Sequence, residues 1–159
     1  MLTKELISLL DKREFLSVAT CGSINRPNAA PKFLLKVDKE HIYLVDYTIG
    51  TTWQNLKVNP KLSLSFMDQN TLKGYQINGN VRMIEKGSVY KKMHKEMMDK
   101  EVRLTAKHII EDVRGEGKHD NYEVAIREKF VIFDVKINEI VEIGIRGELK
   151  RRKARAKTV

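Results

Sequence analysis

The chain has 159 residues, 42% hydrophobic and 32% charged, with a formal net charge of +9 and one cysteine. That is one soluble globular domain, long enough to bury its own core. No apolar run approaches the roughly 20 residues that cross a bilayer, and the lone Cys21 excludes an internal disulfide and suits a reducing cytoplasm. Met1-Leu2-Thr3-Lys4-Glu5 lacks an apolar stretch with a small-residue cleavage point, so no secretory signal and a cytoplasmic location are expected.

Leu2, Leu6, Ile7, Leu9 and Leu10 fall on one helical face after Thr3, which predicts a short capped helix over about residues 3–12. Phe15 to Thr20 reads as a strand, Cys21 to Pro27 as its turn, and Asn28 to Val37 as a second strand. Pro31 cannot donate to a ladder, so that strand is expected to be bent or at an edge. Asp38-Lys39-Glu40 turns the chain into a third strand, His41 to Tyr47.

Between Tyr47 and Pro60 lie a Gly- and Thr-bearing turn and a helix of about two turns over residues 52–58. Gly50, Thr51 and Thr52 put backbone N–H groups and hydroxyls at a helix N-terminus, the donor set that an anionic group needs. The other reading is an ordinary threonine-capped helix. Leu62, Leu64 and Phe66 then alternate with Ser63 and Ser65 in a strand from Lys61 to Met67. A long strand follows from Leu72 to Ile84, with Gly74 and Gly79 marking a bend, a bulge or a close approach.

From Ser88 the period changes. Val89, Met93 and Met97 recur every four residues, and Ala106, Ile109, Ile110 and Val113 form a second apolar face, which predicts one kinked helix or a helix pair over about 88–114. Gly115 to Asn121 reads as a loop, and Lys129 to Ile137 and Glu139 to Ile145 as two closing strands. Strands on both sides of a helical insert make a barrel-like α+β domain over residues 1–145. Residues 146–159 hold seven Lys or Arg against Glu148, and read as a basic, flexible tail. Without interleaved aromatics such a tail supports only weak, nonspecific nucleic-acid contact.

No metal or hydrolytic centre is legible. His41, His94, His108 and His119 have no partner at ligand spacing, and neither paired cysteines nor H-E-x-x-H is present. A chain without a visible catalytic set is a candidate for binding a cofactor that carries the chemistry.

Lys32-Phe33-Leu34-Leu35-Lys36, His41 through Thr48, Asn55-Leu56, Asn59-Pro60 and Gly74-Tyr75-Gln76-Ile77-Asn78-Gly79, in this order, resemble the pyridoxamine 5′-phosphate oxidase-like family of FMN-binding split β-barrels. The resemblance spans about residues 2 to 85. It implies an antiparallel split β-barrel with flanking helices, a homodimer with the flavin site at its interface, and an FMN-dependent oxidoreductase acting on a small molecule or a nicotinamide donor. Lys32 and Lys36 stand at flavin and phosphate positions; four residues apart on a strand they share one face and could together neutralise a phosphate dianion. Their other reading is as solvent-facing lysines.

Tyr47 and Thr48 match residues that line the flavin. Thr51 and Thr52 stand where the oxidase itself carries a basic pair, which replaces charge by hydroxyls. Asn55 either caps the helix or meets the phosphate, and Gln76 either reaches the ring or is an exposed strand residue. Trp53 is a core anchor or a stacking residue. The oxidase ends in a Trp- and Arg-containing segment; here Lys150 to Val159 has no Trp, so the chain is not expected to be the oxidase itself. Deazaflavin, haem or no cofactor at all are the alternatives to FMN. The contrasting function is a cofactor-free split barrel whose basic tail contacts nucleic acid or an acidic partner.

Overall fold

The computed structural model describes residues 1–114 and 129–154. They form two compact units: Met1–Ile84 with the segment from Phe130 onward, and Glu85–Lys129.

The first unit is built on seven antiparallel strands: β1 (Phe15–Cys21), β2 (Pro27–Val37), β3 (His41–Asp46), β4 (Lys61–Met67), β5 (Gly74–Ile84), β6 (Val131–Ile143) and β7 (Leu149–Lys153). The sheet runs β3-β2-β1-β4-β5-β6-β7, and β3 also pairs with β6, so six strands close into a barrel with β7 outside the ring. This is the α+β split barrel expected above. Alternation fills its interior with Leu16, Val18, Leu34, Ile42, Leu44, Leu62, Leu64, Ile77, Phe133, Val135 and Ile140, all buried in one cluster.

Helices α1 (Lys4–Asp11) and α2 (Thr51–Val58) pack at opposite ends. Thr3 caps α1, its hydroxyl accepting from the Leu6 N–H at 3.2 Å, and Leu6 and Leu10 point into the core. The Leu2 N–H donates to the Lys39 carbonyl, which fixes α1 beside the β2–β3 turn. Helix α2 inserts Leu56 into the core, and the Asn59 amide donates to the Cys21 carbonyl at 3.1 Å beside the β1–β2 turn.

Three departures from the expected elements have physical causes. First, β2 is flanked on both sides, yet β1 pairs with it over Pro27–Phe33 and β3 only over Phe33–Val37. Pro31 therefore lies where one side of the strand is open and its missing N–H costs nothing.

Second, the closing segment is not two strands that part near Asn138 but the single 13-residue β6. Asn78 pairs with Glu139 and Gly79 with Ile137, so Asn138 is the extra residue of a β-bulge, and its polar character signals that irregularity, not a turn. Third, Leu149–Lys153, within the expected tail, forms β7 on the outer edge of β6. All five of its residues are exposed, so it has no apolar alternation to betray it.

The second unit is α3 (Ser88–Val113), one continuous 26-residue helix and not a pair. Met93 and Met97 are buried, whereas Val89, Ile109, Ile110 and Val113 are exposed. The loop expected at Gly115–Asn121 lies outside the described residues. No described helix is long and apolar enough to cross a membrane.

Gly79 sits at the bulge where β5 and β6 come closest. A Cβ there would meet Val135 Cγ1 at 2.6 Å and the Lys136 carbonyl oxygen at 2.7 Å. A main-chain oxygen within the ladder cannot step aside, so Gly79→Ala should lower stability by about 1–3 kcal/mol, the usual range for overpacking, read as a lower urea midpoint.

Candidate functional site

The residues singled out in the sequence fall into four places. At the end of β3, Lys32 Nζ lies 2.8 Å from Asp46 Oδ1 and 3.3 Å from the Thr48 hydroxyl. Thr48 donates to the same Asp46 oxygen from its N–H at 3.1 Å and its hydroxyl at 2.7 Å. Lys32 and Asp46 are both buried, 5% and 1% exposed, on the inward side of their strands, where Lys32 pairs with the core residue Leu16. Asp46 Oδ2, also buried, has no hydrogen-bond partner among the described residues. Such an oxygen is costly unless a donor reaches it.

Lys36 is elsewhere. The β2–β3 register steps from Leu34↔Leu44 to Lys36↔Tyr43, which makes Leu35 the extra residue of a β-bulge. Tyr43 lies between the core residues Ile42 and Leu44 and so faces outward, and Lys36 with it, its Nζ 5.1 Å from the Tyr43 ring centroid. The expectation that Lys32 and Lys36 share a face is thus overturned. One extra residue inverts the side-chain period beyond it.

The β3–α2 junction gathers Tyr47, Thr48 and Thr51. Tyr47 meets Phe33 and Phe130 edge-on, at centroid distances of 6.5 and 6.0 Å. Ile49, at φ 46°, holds a left-handed conformation that a β-branched residue rarely adopts. Strain of this kind costs on the order of 1–3 kcal/mol and persists only where packing enforces it; Ile49 is packed against the core cluster. The N-cap of α2 is Gly50 and makes no side-chain cap bond. Thr51 is exposed beside it. The helix therefore begins with uncapped N–H donors and the positive end of its dipole.

Thr52 and Asn55 are turned inward. The Asn28 amide donates to the Thr52 hydroxyl at 3.1 Å and to the Thr20 hydroxyl at 3.4 Å, and the Asn55 amide donates to Thr20 at 3.1 Å. Thr52 is 2% exposed. These four side chains bind α2 to β1 and β2. Trp53 packs partly against the core, with Lys57 Nζ 3.7 Å from its ring centroid.

Gln76 faces outward on β5, its amide donating to the Ser63 hydroxyl at 3.1 Å and to Asn78 at 3.3 Å. Level with Lys36, through Tyr43 and Asp134, the β5 residue is Arg82. Gln76 is six residues along the strand from there, which is roughly 20 Å. Within one chain Gln76 and Lys36 do not meet.

One polar group escaped the sequence reading. His41, taken there as a strand-start residue without a partner, lies 2.5 Å through Nδ1 from Asp134 Oδ1, and Arg82 donates to Asp134 Oδ2 at 2.7 Å. The pairs are 93 and 52 positions apart, and only strand pairing unites them. No group of three metal-ligating side chains occurs among the described residues.

Two predictions test these assignments. Lys32→Met leaves Asp46 charged and buried, so it should cost about 3–5 kcal/mol in urea unfolding, and adding Asp46→Leu should recover most of the loss. On β6, the Asn78 amide, 2.8 Å from Glu139, holds that carboxyl below its usual range, with partial desolvation opposing and Arg151 adding to the effect. A lowered value contributes stability that is full above the ordinary carboxylate range and lost as pH falls through it. Asn78→Ala should flatten the acid limb of a stability–pH curve.

The comparisons with known proteins bear on family and fold. The family profile for pyridoxamine 5′-phosphate oxidase matches residues 2–140. No curated protein matches in sequence. Among solved structures, the chain is similar to a Clostridium acetobutylicum protein related to general stress protein 26 of B. subtilis, of the pyridoxinephosphate oxidase family. The TM-score is 0.67 at 15% identity, covering 94% of this chain and 92% of that one. It is similar to HutZ, the haem storage protein of Vibrio cholerae, with a TM-score of 0.58, 18% identity and coverage of 84% and 88%. It is also similar to a pyridoxamine 5′-phosphate oxidase-related FMN-binding protein of Nostoc punctiforme, with a TM-score of 0.53, 12% identity and coverage of 90% and 88%. These structural likenesses bear on the fold, and the profile match over most of the chain bears on descent: the chain belongs to the pyridoxamine 5′-phosphate oxidase-like family.

Proposed function

We propose that the chain is an FMN-binding oxidoreductase acting on a small molecule, with the cofactor held at the β3–α2 junction. The observation that carries this reading is Asp46 Oδ2, a buried acceptor without a donor, at the end of the strand that leads to the uncapped start of α2. An isoalloxazine N–H or a ribityl hydroxyl would satisfy the oxygen. A phosphate would take the N–H donors of α2 and the Thr51 hydroxyl. Lys32 already balances Asp46, so the carboxylate does not repel the anion. The donor set therefore fits a ligand that carries both hydrogen-bond donors and a phosphate.

In this reading Tyr47 and Thr48 line the ring and Lys36 supplies a phosphate charge from the outer face. Thr52 and Asn55 hold α2 in place through their hydroxyl and amide and do not touch the ligand. Gln76, too far along β5 to act within its own chain, reaches the ring of a second copy, so the site lies at a homodimer interface. FMN supplies hydride chemistry when bound; the protein binds, orients and excludes water. Support for FMN comes also from the family and from the FMN-binding relative of Nostoc punctiforme. The haem storage protein of Vibrio cholerae makes haem the competing ligand.

Purified protein should take up FMN, show flavin absorbance bands, and be bleached by a nicotinamide donor or dithionite. A Soret band with no flavin uptake would move the assignment to haem, and uptake of neither ligand would overturn it. Lys36→Ala should weaken FMN by about 1.5–3 kcal/mol, the scale of a charge-assisted hydrogen bond, while leaving riboflavin binding unchanged. Equal loss of both ligands would remove Lys36 from the phosphate.

A further inference from the structure

The outer wall of the barrel carries a second polar site that the junction does not use. Asp134 is 3% exposed, and both of its oxygens are taken: Oδ1 by His41 Nδ1 at 2.5 Å and Oδ2 by Arg82 at 2.7 Å. Two charge-assisted bonds offset the cost of burying that carboxylate. A carboxylate only accepts, so His41 Nδ1 carries the proton, and Nε2 is the ring nitrogen left for another partner. Stacking on Tyr43, at a centroid distance of 6.0 Å and an interplanar angle of 17°, holds the imidazole in place.

The strand register builds a recess around this pair. His41, Lys136 and Asn80 form one cross-strand row, and Tyr43, Asp134 and Arg82 form the next, two residues along. All face away from the core. A hollow of about 340 Å³ is lined by His41, Asn80, Val81, Arg82, Asp134 and Lys136. Arg82 commits one amino group to Asp134 and is otherwise exposed, its side chain at 74%. Lys136 is exposed too.

Both oxygens of the carboxylate in this hollow are therefore engaged, and the groups that still face it are mainly donors: the Arg82 fork, the Lys136 ammonium and the Asn80 amide, with His41 Nε2 a donor when protonated and an acceptor when neutral. Arg82 and Lys136 against Asp134 leave one net positive charge, or two with His41 protonated. That net positive charge repels a cation, and the Arg82, Lys136 and Asn80 donors suit an oxyanion.

We propose that this hollow binds a small oxyanion: inorganic phosphate or the phosphoryl group of a phosphomonoester. Arg82 and Lys136 carry the charge, and Asp134 acts as the positioning residue that fixes both His41 and Arg82. The site is separate from the β3–α2 junction and does not require a flavin.

The test uses the full chain and follows the His41 ring nitrogens by NMR during additions of inorganic phosphate, of glycerol 1-phosphate, and of chloride at matched ionic strength. Phosphate should give a saturable shift and chloride none. Tighter binding of the ester would identify an organic phosphate as the ligand, and equal binding would identify free phosphate. Arg82→Gln and Lys136→Gln should each weaken binding about tenfold, the lower end for one charge-assisted contact. Asp134→Asn keeps an acceptor for His41 but turns an amide N–H toward the Arg82 fork, so it should weaken binding and move the His41 ring-nitrogen signals even before phosphate is added; unchanged affinity with unchanged signals would overturn its positioning role. Should that variant fail to fold, the Arg82 and Lys136 variants decide alone, since both side chains are exposed. A shift that never saturates, that chloride reproduces, or that survives the double substitution Arg82→Gln/Lys136→Gln would overturn the proposal.

Discussion

The double pairing of β6 is the constraint on which the barrel depends. Its first half pairs with β3 and its second half with β7, while β5 runs along its other side from Ile132 to Ile143. Thirteen residues thus close a ring of six strands and leave a ribbon outside it. Among the described strands, β6 alone has two different neighbours on one edge. Closing the ring removes the open edges that an unclosed sheet would present. It also brings positions from distant parts of the chain into single cross-strand rows, and the His41–Asp134–Arg82 group exists only because of that.

Polar groups inside and around this barrel divide by what they do for the fold. Lys32 with Asp46, and Thr20 with Asn28, Thr52 and Asn55, sit at inward positions and are hydrogen-bonded to one another. They secure the start and middle of β2, the end of β3 and the helix that follows it. Outward groups, namely Lys36, Gln76, Arg82 and Lys136, meet solvent or each other's neighbours. The strained Ile49 and the bare start of α2 lie where these two populations meet. Stability there has been traded for open donors, a pattern more typical of binding sites than of structural turns.

Much of the fold was legible. Leu62, Leu64 and Phe66 against Ser63 and Ser65 announce β4 by period two, and Thr3 with Leu6 and Leu10 announces α1. What failed was whatever breaks or lacks periodicity. Asn138 imitates a turn because a bulge and a turn both admit a polar residue. Leu149–Lys153 imitates a solvated tail because every residue of β7 is exposed and no apolar alternation marks the strand. The site was legible as a set of residue types near α2. It was not legible as an arrangement, because Lys32 and Lys36 look like one pair until the bulge at Leu35 is known. Asp46 carried no signal of its own: its importance comes from being buried with one oxygen unmet.

The bulge at Leu35 also says something about how this segment can change over generations. Its extra residue is what sends one lysine to the interior and the next to the surface. Loss of that residue would leave a regular strand in which Lys36 still lies opposite Tyr43 on the outer face, because lysines an odd number of residues apart fall on opposite faces without any bulge. Keeping the length while drawing Leu35 into register with Tyr43 would instead turn Lys36 toward the hydrocarbon interior. In related chains the length of this stretch and the bulge should therefore change together, whereas single side chains along β2 can be exchanged independently.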